Sequence, residues 1–360
     1  MGSLNIPVTI GNDKPLKLKK VLQAFKIDCA NIEINEGTYF DVYDISLEPG
    51  THSNHIDRAL VDVGIALKAH SCPRGYPILN KGVYRIEVQK QELKSIGFEQ
   101  AYCPADNMYA PIALGVRADG SKFCIDLQQL PNLLIGGIPG SGKSVLLHSI
   151  ILSLIKANAS LYLVDPKMVE FNIYENVENV RSIVYDVAGV EGIISAVSII
   201  MERRFNLLKS NKVRNVQDYN KKVPKKKLRP IVIIIDEWAD IILQNNKIQE
   251  SLCRVAQKGR AAGISIVLAT QRPSSRVISG LIKANFSGRI GLRVVSNIDS
   301  RVILDQKGAE KIEDVGVGLY LDQTMNEAKM FRATWIQNIE IELRRLGAKT
   351  KKSGFWSIFN

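Results

Sequence analysis

The 360-residue sequence predicts an α/β fold, in which a domain with a mainly parallel sheet follows a small β-α-β domain. Short apolar runs bounded by turn residues recur after residue 111 and alternate with stretches of helical periodicity. This pattern is typical of parallel strands that are covered on both faces. Before residue 111, strand-like segments lie on both sides of one amphipathic helical stretch. A chain of this length commonly forms two domains, so we assign one domain to each pattern.

The first domain is predicted over residues 4–110. Residues 14–25 place apolar side chains at helical spacing between lysines, which indicates a short amphipathic helix. Residues 39–47 alternate like a half-buried strand and end at a Glu-Pro-Gly turn signal. Apolar residues then recur at helical spacing over residues 56–67, and residues 83–88 return to a strand-like pattern. The last three segments predict a β-α-β unit.

The second domain is predicted over residues 111–336, because the stretch from Gly97 to Pro111 has little periodicity. Its first two strands are predicted at residues 112–116 and 123–127, with an Asp-Gly turn between them. The apolar run Leu133–Ile135 follows as a third strand. A glycine-rich segment comes directly after this run.

That segment, from Gly137 to Ser144, reads Gly-Ile-Pro-Gly-Ser-Gly-Lys-Ser and fits the Walker A phosphate loop G-x-x-x-x-G-K-[ST]. Its glycines let successive backbone N–H groups surround a polyphosphate. A simple Gly/Ser turn is the alternative, but the strand pattern before it and the helical pattern after it favour a nucleotide site. We therefore predict ATP and Mg²⁺ as cofactors, with Lys143 at the β- and γ-phosphates and Ser144 as a metal ligand. The residues predicted to bind ATP are Gly137, Ile138, Pro139, Gly140, Ser141, Gly142, Lys143, Ser144 and Val145.

Further periodic segments extend this domain. Residues 161–164 form a short apolar run, and a long helix is predicted over residues 190–208. The basic residues 221–227 are interpreted as a solvated loop rather than a nucleic-acid patch. A helix is then predicted over residues 248–255 and a buried strand over residues 264–269.

An acidic pair follows the apolar run Ile231–Ile235. Apolar residues followed by carboxylates are typical of a Walker B strand, so Asp236 is predicted to help hold Mg²⁺. Glu237 points to the other side of the strand end and is predicted to polarise the attacking water as a general base. Gln271 follows the strand that ends at Ala269. Ligands bind at this edge of α/β sheets, so Gln271 is predicted to sense the γ-phosphate.

The formal net charge of +12 is unevenly distributed. Residues 1–112 contain 12 Lys and Arg against 13 Asp and Glu, whereas the rest of the chain contains 36 against 23. This basic excess is compatible with a polyanion-binding face and equally with a solvated basic surface. The cysteines have no metal or redox spacing, and no apolar run approaches the roughly 18 residues of a membrane span. We expect the chain as given to be cytoplasmic, and a membrane anchor cut away before Leu4 is compatible with the sequence.

Several segments of the second domain are more specific than a phosphate loop. They are Asp165–Phe171, Met201–Phe205, Val213–Asn215, Asp236–Asp240, Lys258–Gly263, Ala269–Ser274, Gly280–Asn285 and Asp299–Gln306. Together they resemble the motor domain of the FtsK/SpoIIIE DNA translocases over about residues 111–336. The resemblance implies a RecA-like P-loop ATPase domain in a homo-hexameric ring, with ATP at subunit interfaces and double-stranded DNA in the channel. The preceding residues more loosely resemble that family's small β-α-β domain, which forms a second ring layer.

The resemblance also implies roles for single residues, and it agrees with the phosphate, metal, base and sensor roles given above. Arg260 corresponds to the catalytic arginine that family members insert into a neighbouring subunit's site. Arg272 and Arg301 match positions that touch the DNA backbone, and Lys283 lies on the adjoining segment. Asn297 stands in the loop where the family commonly has a lysine, so one phosphate contact per subunit is expected to be weaker. Surface arginines or helix-end salt bridges are the alternative for these positions.

Residues 337–360 are predicted to form a basic and aromatic tail. Residues 339–346 place apolar side chains on one helical face, and the basic stretch Lys349–Lys352 precedes the aromatic stretch Phe355–Phe359. We interpret the tail either as a docking peptide for a partner or as a helix that packs back on the motor. Chromosome-segregating family members continue into a winged-helix module that reads orienting sequences. We expect no reading of direction through such a module here.

These observations predict an ATP-driven ring translocase of double-stranded DNA, as the cytosolic part of a transfer or coupling protein of a conjugative or other mobile element. The alternatives within this class are a chromosome-segregation or phage translocase that lacks its other modules. A secretion-type ATPase that moves polypeptide is a different class, and Arg272 and Arg301 argue against it. A nucleotide switch is disfavoured by Glu237, because switches usually lack a strong built-in base. Membrane attachment is expected only through a segment absent from this chain.

Overall fold

The computed structural model describes residues 13–37, 39–91 and 95–351. The chain divides into two compact units. The first contains the described residues before Ser95 together with Ala118–Ser121. The second contains Ser95–Arg117 and the described residues from Lys122 onward. Each unit has its own hydrophobic core.

In its described residues, the first unit forms a four-stranded antiparallel sheet and two α-helices. The elements are α1 (Lys14–Ala24), β1 (Cys29–Glu36), β2 (Phe40–Leu47), α2 (Asn54–Leu67), β3 (Arg74–Ile78) and β4 (Val83–Gln89). The strands have the order β1-β2-β4-β3. Leu22 of α1 and Ile56 of α2 are fully buried in one core with Tyr43 of β2 and Ile86 of β4.

The predicted order of strand, helix and strand is present as β2, α2 and β4, and the structure adds β1 and β3, which no sequence pattern indicated. Both are edge strands of this sheet. In β1, Ile32 and Ile34 are only partly buried and most of the other residues are exposed, so the alternation is weak. The five-residue β3 contains Pro77, a residue type that sheets tolerate mainly at their edges.

In its described residues, the second unit forms one ten-stranded sheet with helices between its strands along the chain. The strands are β5 (Pro111–Arg117), β6 (Lys122–Asp126), β7 (Asn132–Gly136), β8 (Ser160–Val164), β9 (Val180–Val184), β10 (Ile231–Ile235), β11 (Ile264–Thr270), β12 (Gly288–Gly291), β13 (Val317–Leu321) and β14 (Lys329–Arg332). The helices are α3 (Phe98–Ala101), α4 (Lys143–Lys156), α5 (Val187–Ser210), α6 (Val216–Lys222), α7 (Trp238–Ile242), α8 (Ile248–Gly259), α9 (Gly280–Asn285), α10 (Asn297–Leu304) and α11 (Ile339–Arg345). Within the part of the chain that the structure describes, no helix combines the length and the apolar character needed to cross a membrane.

The sheet has the strand order β6-β5-β14-β13-β12-β7-β11-β10-β8-β9. In the part of this order that runs β12-β7-β11-β10-β8-β9, all neighbouring strands pair in parallel. The strands β13, β14, β5 and β6 extend the sheet with antiparallel pairs. This arrangement confirms the predicted α/β class with a mainly parallel sheet.

The centre of this sheet consists of apolar strands in which every residue is buried, namely β7, β10 and β11. A parallel strand covered on both faces needs apolar side chains at successive positions, which explains the unbroken run Ile231–Ile235. The three strands are parallel neighbours, so their carboxyl ends lie along one edge of the sheet. The phosphate loop, the pair Asp236-Glu237 and Gln271 follow these ends. The fold therefore gathers them at that edge.

The described part of the C-terminal tail packs on the second unit. Leu343 of α11 is buried in the core of this unit. After α11, the backbone N–H of Glu178 donates a hydrogen bond of 2.8 Å to the carbonyl oxygen of Lys349. Over residues 337–351, the chain thus packs back on the second unit. The aromatic stretch at residues 355–359, considered above as part of a docking peptide, lies outside the described residues.

Candidate active site

The phosphate loop forms a narrow backbone cradle between β7 and α4. Gly140 and Gly142 have φ values of +76° and +98°, in the left-handed region that favours glycine. A Cβ at Gly142 would lie 2.8 Å from the backbone nitrogen of Gly316, so this position needs glycine for space as well. The Ser141 side chain is buried, and its Oγ has no hydrogen-bond partner among the described residues. A backbone cradle with an unsatisfied hydroxyl fits a polyphosphate.

Lys143, the first residue of α4, is bound to the end of β10. Its Nζ donates a hydrogen bond of 2.6 Å to the backbone oxygen of Asp236 and forms an ion pair with the Asp236 carboxylate. An ammonium group has three N–H donors, so one remains for a phosphate oxygen. Burial raises the pKa of Asp236, and the carboxylates of Glu170 and Asp165 raise it further, against the lowering effect of Lys143. A metal cation at this strand end would relieve the excess negative charge.

Glu170 contacts Ser144, the predicted metal ligand, although no sequence motif assigned Glu170 to the site. The Ser144 hydroxyl donates a hydrogen bond of 2.7 Å to Glu170 Oε1. The Glu170 Oε2 atom lies 3.5 Å from Nε2 of His148. The hydrogen bond from His148, with that from Ser144, lowers the pKa of Glu170. A sequence signal existed, because Glu170 lies in the family-like segment Asp165–Phe171, but it did not show which residue Glu170 meets.

Glu237, the predicted general base, is buried and held on both carboxylate oxygens. Its Oε1 accepts hydrogen bonds from the Thr270 hydroxyl at 2.6 Å and from the Ala239 backbone N–H at 3.2 Å. Its Oε2 accepts a hydrogen bond of 2.9 Å from the backbone N–H of Gln271. The Gln271 side-chain oxygen in turn accepts a long hydrogen bond of 3.4 Å from Lys167. Glu237 and Gln271 thus meet directly, and Thr270, which sequence patterns did not single out, completes their contact.

Arg260 lies at the opposite edge of the sheet from the phosphate loop. It follows α8, is exposed, and donates through Nε to the backbone oxygen of Gln128 at 3.2 Å. Arg260 precedes β11, whereas the phosphate loop follows β7, the parallel neighbour of β11. A strand advances about 3.3 Å per residue, so strands of this length separate the two edges by roughly 20 Å. Within one chain, the structure does not bring Arg260 to Lys143.

The residues predicted to contact DNA lie on separate segments of the second unit. Arg272 is exposed and is the second residue after the end of β11. Asn297 and Arg301 are exposed on α10, four positions apart and therefore on one face. Lys283 of α9 is ion-paired with Asp305, and its Nζ lies 3.4 Å from the backbone oxygen of Arg301. The structure thus joins Lys283 to α10, with part of its charge neutralised by Asp305.

Known sequences relate the chain to one family. The profile of the FtsK/SpoIIIE family matches residues 97–275. The DNA translocase FtsK of Caldanaerobacter subterraneus subsp. tengcongensis is 34% identical over 342 residues, which cover 92% of this chain and 48% of that protein. The DNA translocase SftA of Bacillus subtilis is 34% identical over 339 residues, which cover 90% of this chain and 36% of that protein. The chain therefore spans less than half the length of these curated relatives.

Solved structures share the fold at lower sequence identity. The pCW3 conjugation coupling protein TcpA, in its monomer form with ATPgS, has a TM-score of 0.66 and 22% identity, and the match covers 93% of this chain and 99% of that chain. The cytoplasmic domain of the type VII secretion ATPase EccC from Thermomonospora curvata has a TM-score of 0.61 and 23% identity. That match covers 71% of this chain and 33% of that chain. At these identities the similarity shows the fold alone.

Proposed function

We propose that this chain, whose residues 97–275 match the FtsK/SpoIIIE family, is an ATPase that moves double-stranded DNA as a ring of identical subunits. One observation carries the proposal of hydrolysis. The buried Glu237 carboxylate directly follows the Asp236 that binds Lys143, and it is held by Thr270 and Gln271. A nucleotide switch does not need a base fixed in this way, whereas rapid hydrolysis does.

The residues of the site have separate chemical roles in this proposal. The free N–H donor of Lys143 and the backbone N–H groups of the loop bind the phosphates. Ser144 and Asp236 would hold Mg²⁺, because hydroxyl and carboxylate oxygens are ligands that this ion prefers. The bound ion neutralises charge on the β- and γ-phosphates. Among the described residues, Glu237 Oε2 accepts one hydrogen bond, from Gln271, so its second lone pair is free to take a proton from the attacking water.

Arg260 is assigned to the site of a neighbouring subunit. Its own phosphate loop lies at the far edge of the same sheet, so Arg260 cannot complete its own site without a large change in the fold. In a ring of identical subunits, neighbours meet through two different surfaces, so the edge that carries Arg260 can face the phosphate-loop edge of the next subunit. Arg260 then supplies positive charge that stabilises phosphoryl transfer in the ATP site of the neighbouring subunit. A hexamer is the stoichiometry that we propose, by analogy with the family.

Arg272, Asn297 and Arg301 are the exposed residues that we assign to the DNA backbone, with Lys283 in support. Contacts to phosphates carry affinity without information about base sequence. Duplex DNA of any sequence is therefore the proposed substrate. We further propose the domain limits 4–110, 111–336 and 337–360 for the ring-layer domain, the motor and the tail, although Ser95–Ala110 belong to the same compact unit as the sheet of the motor.

For the biological process, we propose a coupling or transfer role in a conjugative or other mobile element. The fold shared with the conjugation coupling protein TcpA extends over 93% of this chain and 99% of that chain, and this coverage supports a similar domain content. Chromosome segregation or phage DNA transport is the second candidate, which the identity to DNA translocases such as SftA favours. Polypeptide secretion receives less support, because the match to EccC covers only 33% of that chain.

The test is the ATPase rate of the purified chain with random-sequence duplex DNA, single-stranded DNA or an unfolded polypeptide. We expect duplex DNA to stimulate hydrolysis, with a stimulation that falls steeply as salt rises. Displacement of a third strand from a triplex would show movement along the duplex. Stimulation by the polypeptide and none by the duplex would replace our proposal with secretion.

A further inference from the structure

We propose that Glu170 is a positioning residue for Mg²⁺: by accepting the hydrogen bond of the Ser144 hydroxyl, it leaves the lone pairs of Ser144 Oγ free for the metal. This inference rests on the proposed ATPase function. It adds a residue that neither the phosphate loop nor the Walker B pair contains.

The first step concerns the hydroxyl of Ser144. A serine hydroxyl has one donor and two acceptor lone pairs, and only the lone pairs can bind a cation. The Ser144 hydroxyl donates to Glu170 Oε1 at 2.7 Å. Because the proton is committed to Glu170, the lone pairs point elsewhere. A serine without such an acceptor would rotate freely and present its proton to the metal for part of the time.

The second step is that Glu170 is itself held in place. Its backbone N–H donates a hydrogen bond of 2.8 Å to Oδ2 of the fully buried Asp165, at the end of β8. Its Oε2 lies 3.5 Å from Nε2 of His148, and Nδ1 of His148 lies 2.9 Å from the buried hydroxyl of Tyr174. His148 is four residues after Ser144 on α4, so both face the same side of the helix. Glu170 therefore bridges one turn of α4 from a fixed position.

The third step shows that Glu170 and Asp236 have different roles in the site. The Asp236 carboxylate is engaged by Lys143, and Ser144 is engaged by Glu170. Each proposed metal ligand thus has its own partner. Residues that orient metal ligands typically change metal affinity about 10- to 100-fold when they are removed. A purely structural alternative also exists, because a carboxylate near the start of a helix stabilises that helix through its dipole.

The experiment measures binding of a fluorescent ATP analogue to the full chain without DNA, first in EDTA and then over a Mg²⁺ titration. In Glu170→Ala, we expect the half-saturating Mg²⁺ concentration to rise about 10- to 100-fold, with unchanged affinity in EDTA. Glu170→Gln should show a smaller rise, since a neutral amide oxygen is a weaker acceptor than a carboxylate. Glu175→Ala removes an exposed carboxylate five residues away and should behave like the unmodified chain.

Two results would overturn the inference. One is a Mg²⁺ dependence in Glu170→Ala equal to that of the unmodified chain. The other is a parallel loss of affinity in EDTA and in Mg²⁺, together with a lower unfolding temperature, which would make Glu170 a helix-stabilising residue. If Glu170→Ala does not fold, the isosteric Glu170→Gln decides by the same criteria. The assay contains no DNA. It therefore tests the role of Glu170 in Mg²⁺ binding even if the chain does not translocate DNA.

Discussion

The carboxylate of Glu237 accepts a hydrogen bond of 2.9 Å from the backbone N–H of Gln271. Glu237 follows β10 and Gln271 follows β11, and these strands pair in parallel with Ile235 opposite Leu268. The two residues meet because of this register. Their contact joins the proposed base to the segment that continues into Arg272.

Thr270→Val tests how firmly the base must be held. Valine has nearly the shape of threonine but lacks the hydroxyl that donates to Glu237 at 2.6 Å. We expect the turnover of ATP to fall about tenfold, equivalent to roughly 1.4 kcal/mol in the barrier, with unchanged ATP affinity. Steady-state ATPase and equilibrium binding measure the two quantities. Thr270→Ser keeps the hydroxyl and should retain turnover, and full activity in the valine variant would show that Thr270 does not position the base.

Lys143→Ala and Glu237→Gln should separate binding from hydrolysis. The first removes a phosphate partner and should abolish tight ATP binding. The second keeps the shape of the site but removes the base, so ATP should bind normally and turnover should stop. We expect the second variant to accumulate with ATP on DNA, which filter binding of both ligands would detect. Glu202→Gln, on an exposed face of α5, is the matched control. Equal loss of ATP binding in both variants would make Glu237 a structural residue.

Arg260→Ala should bind ATP almost normally and hydrolyse it very slowly, because an arginine supplied by a neighbour accelerates phosphoryl transfer by about 10³ or more. Mixing this variant with Glu237→Gln should restore part of the ATPase rate. Some interfaces would then pair an intact base with an intact arginine. Arg203→Ala, exposed on α5, is the control for loss of charge. Full DNA-stimulated activity in Arg260→Ala alone would show that Arg260 is not the arginine supplied to the neighbouring site. Arg254 or Arg289 would then be the next residue to test.

Asn297→Lys should tighten DNA binding, because it adds a cation to the exposed start of α10 beside Arg301. Each added phosphate contact steepens the dependence of log affinity on log salt by roughly one unit. Fluorescence anisotropy with a random duplex over a series of salt concentrations measures both effects. Asn107→Lys adds the same charge to an exposed turn and is the control. If both variants have the same affinity and slope as the unmodified chain, Asn297 lies off the DNA path.

Arg204→Met should destabilise the second unit. Arg204 of α5 is buried and donates hydrogen bonds of 2.6 Å to the carbonyl of Ala262 and 2.7 Å to that of Arg229. Methionine would leave both carbonyls without this partner, at a cost of about 2 kcal/mol or more. The midpoint of urea unfolding should fall accordingly. Arg203→Met changes the neighbouring exposed arginine and should leave the midpoint almost unchanged. Equal midpoints in the two variants would contradict this role.

Local patterns were sufficient for the chemistry that depends on contiguous residues. The phosphate loop combines glycine, lysine and serine at fixed spacing, and these residues act through the backbone of one short segment. The run Ile231–Ile235 indicates a strand whose two faces are both covered, because burial on both faces requires apolar side chains at every position. The edge strands β1 and β3 escaped notice for the opposite reason. One side of an edge strand meets water, so its sequence lacks a clear pattern.

Contacts between distant segments depend on which strands become neighbours, and a local period carries no such information. Ser144 and Glu170 are 26 residues apart, and Glu237 and Thr270 are 33 apart. They meet because β8, β10, β11 and β7 lie side by side in parallel, which brings their carboxyl ends to one edge. The same strand pairing puts Arg260 at the other edge. A buried apolar strand fits many positions in a sheet, and packing of the whole domain selects among them.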